Sequence, residues 1–272
     1  SMSGLRGMAG VLATMATLAG SAHAEPPSMP TEPAFRAFLR ELRPDALARG
    51  VSPATFDAAL GTALPDHEVL DHALSQPEHG RSAGEYVSAL VSEERIAAGR
   101  KLLNDHDGLL RRIEASFGVD RHIVLAIWGV ETSFGSSLGV RHVPRSLATL
   151  AWREPRRPQF WRNELLEALR IIERGDIPVE RMTGSWAGAM GHTQFIPSSY
   201  AAHAFDFDGD GRRDIWGSVP DALASTANYL ANAGWITGQP WAIEVIAAPG
   251  FDFALSAPGP GRAISTWRHR PA

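Results

Sequence analysis

The sequence has no cysteine, only one lysine (Lys101) among its 26 basic residues, and no charge excess of either sign beyond a formal net charge of −4. Without cysteine there can be no disulfide, thiolate zinc site, iron–sulfur cluster or cysteine nucleophile, nor a lipid attached through an N-terminal cysteine. The arginine bias reads as codon usage in preference to phosphate recognition, and the slightly acidic balance leaves no broad basic footprint for nucleic acid. Apart from an N-terminal run, no apolar stretch approaches the roughly 20 residues needed to span a bilayer. What remains is an ordinary globular composition, 44% apolar and 21% charged over 272 residues. That is enough chain for one large domain or two small ones without covalent staples.

The N-terminal run is informative. Residues 1–24 carry one charge, Arg6, followed by an apolar stretch from Met8 to Gly20 and the small-residue ending Ala22-His23-Ala24. This is the pattern of a secretory signal peptide cleaved after Ala24, too short for a membrane anchor. The expected product is an exported, soluble, monomeric protein with no membrane anchor. An oxidising compartment also suits a chain lacking free thiols.

Residues 25–33 form a proline-rich lead-in. From Ala34 onward apolar residues recur at helical spacing: Phe35, Phe38, Leu39 and Leu42, then Phe56 and Leu60 after a Ser52-Pro53 start signal. Ser92 opens a longer helix, expected to continue through Phe117 and stop at Gly118. Asp120 opens a very apolar one over Ile123–Val130. Further helices are expected near 159–174, 198–204 and 219–233, and a single strand over 241–247. The fold class is therefore mostly α. Domain by domain, the expectation is an N-terminal helical part over 34–91, a core over 92–235, and a small, partial β region with coil over 236–272.

Two segments carry chemistry. In Ile123-Val-Leu-Ala-Ile-Trp-Gly-Val-Glu131-Thr-Ser-Phe-Gly135 the helix is apolar on nearly every side, so it must be buried, and Glu131 sits at its end. Desolvation raises a carboxyl pKa toward the range of a general acid near neutrality. The alternative is a buried glutamate satisfied by an arginine or by backbone amides. The second segment, Gly184 to Tyr200, packs three glycines into its first eight residues and adds Ser185, Thr193, Gln194, Trp186 and Phe195. Neutral donors beside apolar faces suit a polyhydroxylated or N-acetylated ligand better than a phosphate, which would call for a Gly-Lys-Ser/Thr ending. The alternative is a well-packed turn. His192 has no metal-spaced partner.

Tyr86, the stretch Gly129–Gly135, the stretch Gly184–Tyr200 and the Ala227-Asn-Tyr-Leu…Gly234-Trp235 ending together resemble the membrane-bound lytic murein transglycosylase B family. The resemblance implies a lysozyme-like α core with an N-terminal helical extension, acting on the glycan strands of peptidoglycan. It implies that Glu131 is the only catalytic carboxylate, protonating the oxygen that leaves MurNAc C1 and then taking the proton of the attacking MurNAc 6-hydroxyl. Ser185 and Gln194 would hold the sugar and its N-acetyl group, Tyr86 would position substrate near the acid, and Met190 and Phe195 would be wall residues. A muramidase using water and a catalytically weak glycan-binding protein stand as alternatives, and cell-wall synthesis proteins are further possible partners. The family continues beyond Trp235 through a sheet region and a segment bearing another cleft tyrosine. All three tyrosines here precede Trp235, so one wall of the cleft is expected to be missing.

No cofactor is required by this chemistry. The loop Asp206-Phe-Asp208-Gly-Asp210-Gly-Arg-Arg-Asp214, however, spaces its acids as an EF-hand does. The twelfth position is Gly217 instead of glutamate, so Asp221 is expected to supply the late carboxylate of a structural calcium or sodium site. The alternative is an Asx-rich turn held by its own backbone.

Overall fold

The computed structural model describes residues 32–75, 83–247 and 249–252. The signal segment, most of the lead-in and the last twenty residues lie outside that range. The chain runs through helices α1 (Glu32–Ala48), α2 (Pro53–Leu60), α3 (His67–Leu74), α4 (Ala83–Leu90), α5 (Glu93–Asp105), α6 (Asp107–Phe117) and α7 (Arg121–Thr132). It then passes strand β1 (Arg141–His142), α8 (Val143–Arg153), α9 (Pro158–Glu173), a 3-10 turn (Val179–Arg181), β2 (Thr183–Gly184), α10 (Pro197–His203) and α11 (Val219–Asn232).

The start and stop signals act as the sequence implies. Ser52, Ser92 and Asp120 each accept a backbone N–H of the helix they precede, those of Thr55, Arg95 and His122. Gly118 ends α6 in the left-handed conformation at φ 68°. The lead-in is shorter than expected, because Glu32 and Pro33 already belong to α1, where first-turn proline is tolerated.

Two expectations are corrected, and one helix was not foreseen. The long helix from Ser92 to Phe117 is two helices broken at His106, whose φ −110° and ψ 16° lie outside the helical region. The run Asn104-Asp105-His106-Asp107-Gly108 consists of weak helix formers, and the His106 ring leaves the helix line to meet Trp128 edge-on at 5.8 Å. Second, 241–247 forms no strand: among the described residues it has no ladder partner, and Trp241 is 67% and Ile246 99% exposed. An extended segment without a neighbouring strand leaves its amides to water. The described sheet lies elsewhere, an antiparallel pair of β1 and β2 joining Arg141 to Gly184 and His142 to Thr183. The unforeseen element is α8, whose run of buried residues is interrupted only by Arg145 before its end at Trp152 and Arg153.

Two hydrophobic cores result. One joins α1–α3 to α8, α9 and the loop around Met190 and Phe195, so the N-terminal helices share a core with residues 143–222. The other is built from α6, α7 and the inner face of α11, with Leu110, Ile113, Val124, Trp128 and Leu223 fully or almost fully buried. Helix α11 contributes to both, Ala222 to the first and Leu223 to Leu230 to the second.

Candidate active site

Helix α7 ends in an unusual turn. After Thr132 three successive residues take positive φ, Ser133 at 48°, Phe134 at 59° and Gly135 at 84°. Only the last is a glycine, so the first two are strained. The turn closes back on the helix through Ser133 N–H to Gly129 C=O (3.1 Å) and Phe134 N–H to Trp128 C=O (3.2 Å). This swings the Phe134 ring onto Gly129, where a Cβ would sit 2.6 Å from the ring, so that position admits no side chain without displacing it.

Glu131 lies in this last turn, half-buried, and forms no hydrogen bond or ion pair with any described residue. Burial pushes its carboxyl up to about 7. The fully buried acids behave differently. Glu154 accepts the Trp161 indole N–H (3.0 Å) and the Arg156 guanidinium (2.6 Å), and Glu164 accepts Ser198 N–H (2.8 Å). Asp66 pairs with Arg141 (3.2 Å) and Asp176 with Arg213 (2.6 Å). Each of these carboxylates has a partner that accounts for its burial, whereas Glu131 has none, the arrangement expected of an acid kept available for chemistry.

The glycine-rich loop is bound to the same turn. Thr132 Oγ1 donates to His192 C=O (2.7 Å) and accepts Gly135 N–H (2.9 Å), and Trp128 Nε1 donates to His192 Nδ1 (3.0 Å). Inside the loop, Ser185 Oγ accepts Ala189 N–H (3.0 Å), which leaves its own O–H free to donate. Gln194 takes a left-handed φ of 56°, and its Nε2 donates to Gly191 C=O (2.9 Å) and Leu138 C=O (3.3 Å). With both partners carbonyls, the amide can be oriented in one way only, and its Oε1 stays uncommitted among the described residues. The loop thus offers one hydroxyl donor and one amide acceptor.

Of the remaining candidates, Phe195 is buried and packs on Tyr229 with ring centroids 5.9 Å apart. Met190 is fully buried in the first core, and its backbone pairs with Phe195 through N–H to C=O bonds of 2.8 and 2.9 Å. Tyr86 is 40% exposed on α4. That helix reaches the Glu131 turn through Arg95, which donates both to Leu90 C=O and to Ser133 Oγ.

The acidic loop splits in two. Asp206, Asp208 and Asp210 bring carboxylate oxygens within 4.8 Å of one another. Asp214 and Asp221, the other two acids of the expected set, lie outside that group. Asp214 Oδ1 accepts Trp216 and Gly217 N–H (3.0 and 2.8 Å) as an Asx turn. Asp221, fully buried, accepts Phe207, Asp208 and Asp214 N–H (2.8, 3.2 and 2.9 Å) and staples the loop to the start of α11.

Three residues that the sequence reading assigned no role matter here: Thr132, His192 and Tyr229. For Thr132 a signal existed, since a hydroxyl in the last turn of a buried helix sits where backbone groups lack partners.

Several known proteins are similar to this chain. Membrane-bound lytic murein transglycosylase B of Escherichia coli (strain K12) is 37% identical over 160 residues, 58% of this chain and 44% of that protein. SltB3 from Pseudomonas aeruginosa, solved in complex with NAG-NAM-pentapeptide, is 48% identical with a TM-score of 0.77 over 81% of this chain and 59% of that one. The Escherichia coli lytic transglycosylase Slt35, solved in complex with calcium, is 30% identical with a TM-score of 0.67 over 77% of this chain and 66% of that one. The chain therefore spans less than two thirds of the length of each of these relatives. The family model described as the transglycosylase SLT domain matches residues 34–271, continuing past Trp235 where the quoted motifs stop, and the chain belongs to that family.

Proposed function

We propose that this chain is a lytic transglycosylase that cleaves the β-1,4 bond between MurNAc and GlcNAc of peptidoglycan and leaves 1,6-anhydro-MurNAc ends. The observation that carries this reading is the solitary Glu131: a half-buried carboxyl with no described partner and a pKa near 7, set beside a glycine-rich loop that presents the Ser185 hydroxyl and the Gln194 amide oxygen.

The chemistry follows from one carboxyl. Protonated Glu131 gives its proton to the glycosidic oxygen as the bond from MurNAc C1 breaks. The resulting carboxylate takes the proton of the MurNAc 6-hydroxyl, whose oxygen bonds to C1. The proton returns to Glu131, no water is consumed, and no second carboxylate is needed, unlike the paired-acid scheme of hydrolases. The uncommitted Gln194 Oε1 suits an N-acetyl N–H, and the Ser185 O–H suits a sugar or acetyl oxygen. The relatives support the substrate class, SltB3 having been solved with NAG-NAM-pentapeptide and with NAG-anhNAM-pentapeptide. Mass spectrometry of digested sacculi tests the proposal: anhydro-MurNAc ends that disappear in Glu131→Gln support it, and reducing MurNAc ends overturn it in favour of hydrolysis.

We also propose a periplasmic location, supported by the signal-type N-terminus; among the described residues no helix is long and apolar enough to cross a membrane. A structural calcium or sodium ion in the acidic loop belongs to the same reading. The donors are hard oxygens on a short loop, which suits such a cation. The triad of Asp206, Asp208 and Asp210 would hold it, and no catalytic step passes through it. Equilibrium dialysis with calcium decides this, equal binding by wild type and Asp208→Ala/Asp210→Ala ruling the site out.

A further inference from the structure

The last turn of α7 is gripped from outside the helix by a single residue. Trp128 and Thr132 flank Glu131 in that turn, and both are almost completely buried. Both are held by His192: its ring accepts the Trp128 indole N–H at 3.0 Å, and its backbone carbonyl accepts the Thr132 hydroxyl at 2.7 Å. The ring rests against Gly135, where a Cβ would lie 2.4 Å from Nδ1, so the glycine makes room for it. His192 is itself anchored, its N–H donating to Ile215 C=O (3.0 Å). An indole N–H can only donate, so Nδ1 carries no proton and the ring is the neutral Nε2–H tautomer. Burial favours that neutral form.

We propose that His192 is a positioning residue for the Glu131 carboxyl, clamping the helix turn on both sides of it and holding it in the water-poor position that proton transfer requires. The inference rests on Glu131 being the acid and base of the proposed reaction. The elevated Glu131 value has burial as its cause, with no charged partner contributing. The surrounding titratable groups act elsewhere. Arg95 from α5 donates to Ser133 Oγ, His106 from the break between α5 and α6 packs on the Trp128 ring, and the charge of Asp214 acts on His192. A turn that loosens therefore lets water reach the carboxyl, and its midpoint falls toward that of a solvated glutamate.

The test reads that midpoint directly. The Glu131 side-chain carboxyl is titrated by carbon-13 NMR in the glutamate-labelled chain, the signal being assigned by its loss in Glu131→Gln. Wild type should titrate near 7, the value its burial implies. His192→Leu, which keeps bulk and loses the acceptor, should lower the midpoint by roughly one pH unit. His192→Gln, whose amide oxygen can accept the indole N–H, should leave it near the wild-type value. Trp128→Phe removes the donor from the other side and should lower it too, which keeps the test informative if His192→Leu fails to fold. An unmoved midpoint in a folded His192→Leu and in Trp128→Phe, or an equal fall in His192→Gln, overturns the proposal. A residue serving only general stability would lower the melting temperature without moving the midpoint. Because the titration needs no substrate, its failure is distinct from a failure to form anhydro ends, which product mass spectrometry reports.

Discussion

Removing the charge at Glu131 should make the protein more stable, and by an amount that depends on pH. In the folded chain the carboxyl titrates at about 7, against an ordinary value of 4.5. The folded state therefore holds its proton across that window while the unfolded chain has released it. Stability falls as pH rises from 4.5 to 7, and the loss is complete above. At about 1.4 kcal/mol per pH unit the full penalty is about 3 kcal/mol. Partial exposure of the carboxylate screens it, and about half that figure is the better expectation. Glu131→Gln escapes the penalty with almost the same shape. For a fold of this size each kcal/mol moves the melting temperature by roughly 2–4 °C, so the variant should melt roughly 3–6 °C higher than wild type at about pH 8.5. At about pH 4, where both side chains are neutral, the difference should nearly vanish. Differential scanning calorimetry of the pair at both pH values makes the measurement, and pH effects from other groups cancel in the comparison. A gain of equal size at both pH values would show that ionisation of Glu131 is not its source. A wild type more stable than the variant at high pH would mean that the carboxylate has a stabilising partner.

Three further outcomes are expected. If protonated Glu131 starts the reaction, kcat/KM on sacculi should fall about tenfold per pH unit above a midpoint near 7, and a flat profile to pH 9 would exclude that role. Thr132→Val leaves Gly135 N–H and His192 C=O without their partner and should cost on the order of 1–3 kcal/mol in urea unfolding, with a larger loss of activity than of folded protein at room temperature. Asp221→Ala removes the acceptor of three backbone N–H groups and should cost on the order of 2–4 kcal/mol while loosening the acidic loop, detectable as faster amide exchange at Phe207, Asp208 and Asp214; unchanged exchange there would refute the stapling role.

Much of this molecule was legible because its signals are local. Ser52, Ser92 and Asp120 cap helices through their own side chains, and Gly118 ends one through its own backbone, so the sequence states these boundaries without reference to the rest of the fold. Glu131 stood out for the same reason: an ionisable group at the end of a continuously apolar helix is conspicuous in one dimension. What stayed hidden depends on partners distant in sequence. Helix α8 is buried in the first core by partners distant in sequence, Met190 faces inward because of what lies across from it, and 241–247 has strand-like composition but no described strand beside it. The spacing of the acidic loop could not show that Asp221 would be consumed by three amides. Nor could any spacing reveal the grip of His192 on a turn sixty residues away.

The division into two cores also governs when the site can exist. Glu131 rides on a helix of one core, whereas Ser185 and Gln194 belong to a loop packed into the other, and the fastenings between them at the site are few: Trp128 and Thr132 to His192, with Thr226 to Thr193 nearby (2.9 Å). These fastenings are a small part of the packing that also joins the cores through α11, so opening them needs less free energy than unfolding either core. Under the proposed activity, the chain would thereby complete its site only at the final docking event. It would also be silenced by mild stress long before it melts, so that inactivation on heating should precede the loss of helical signal.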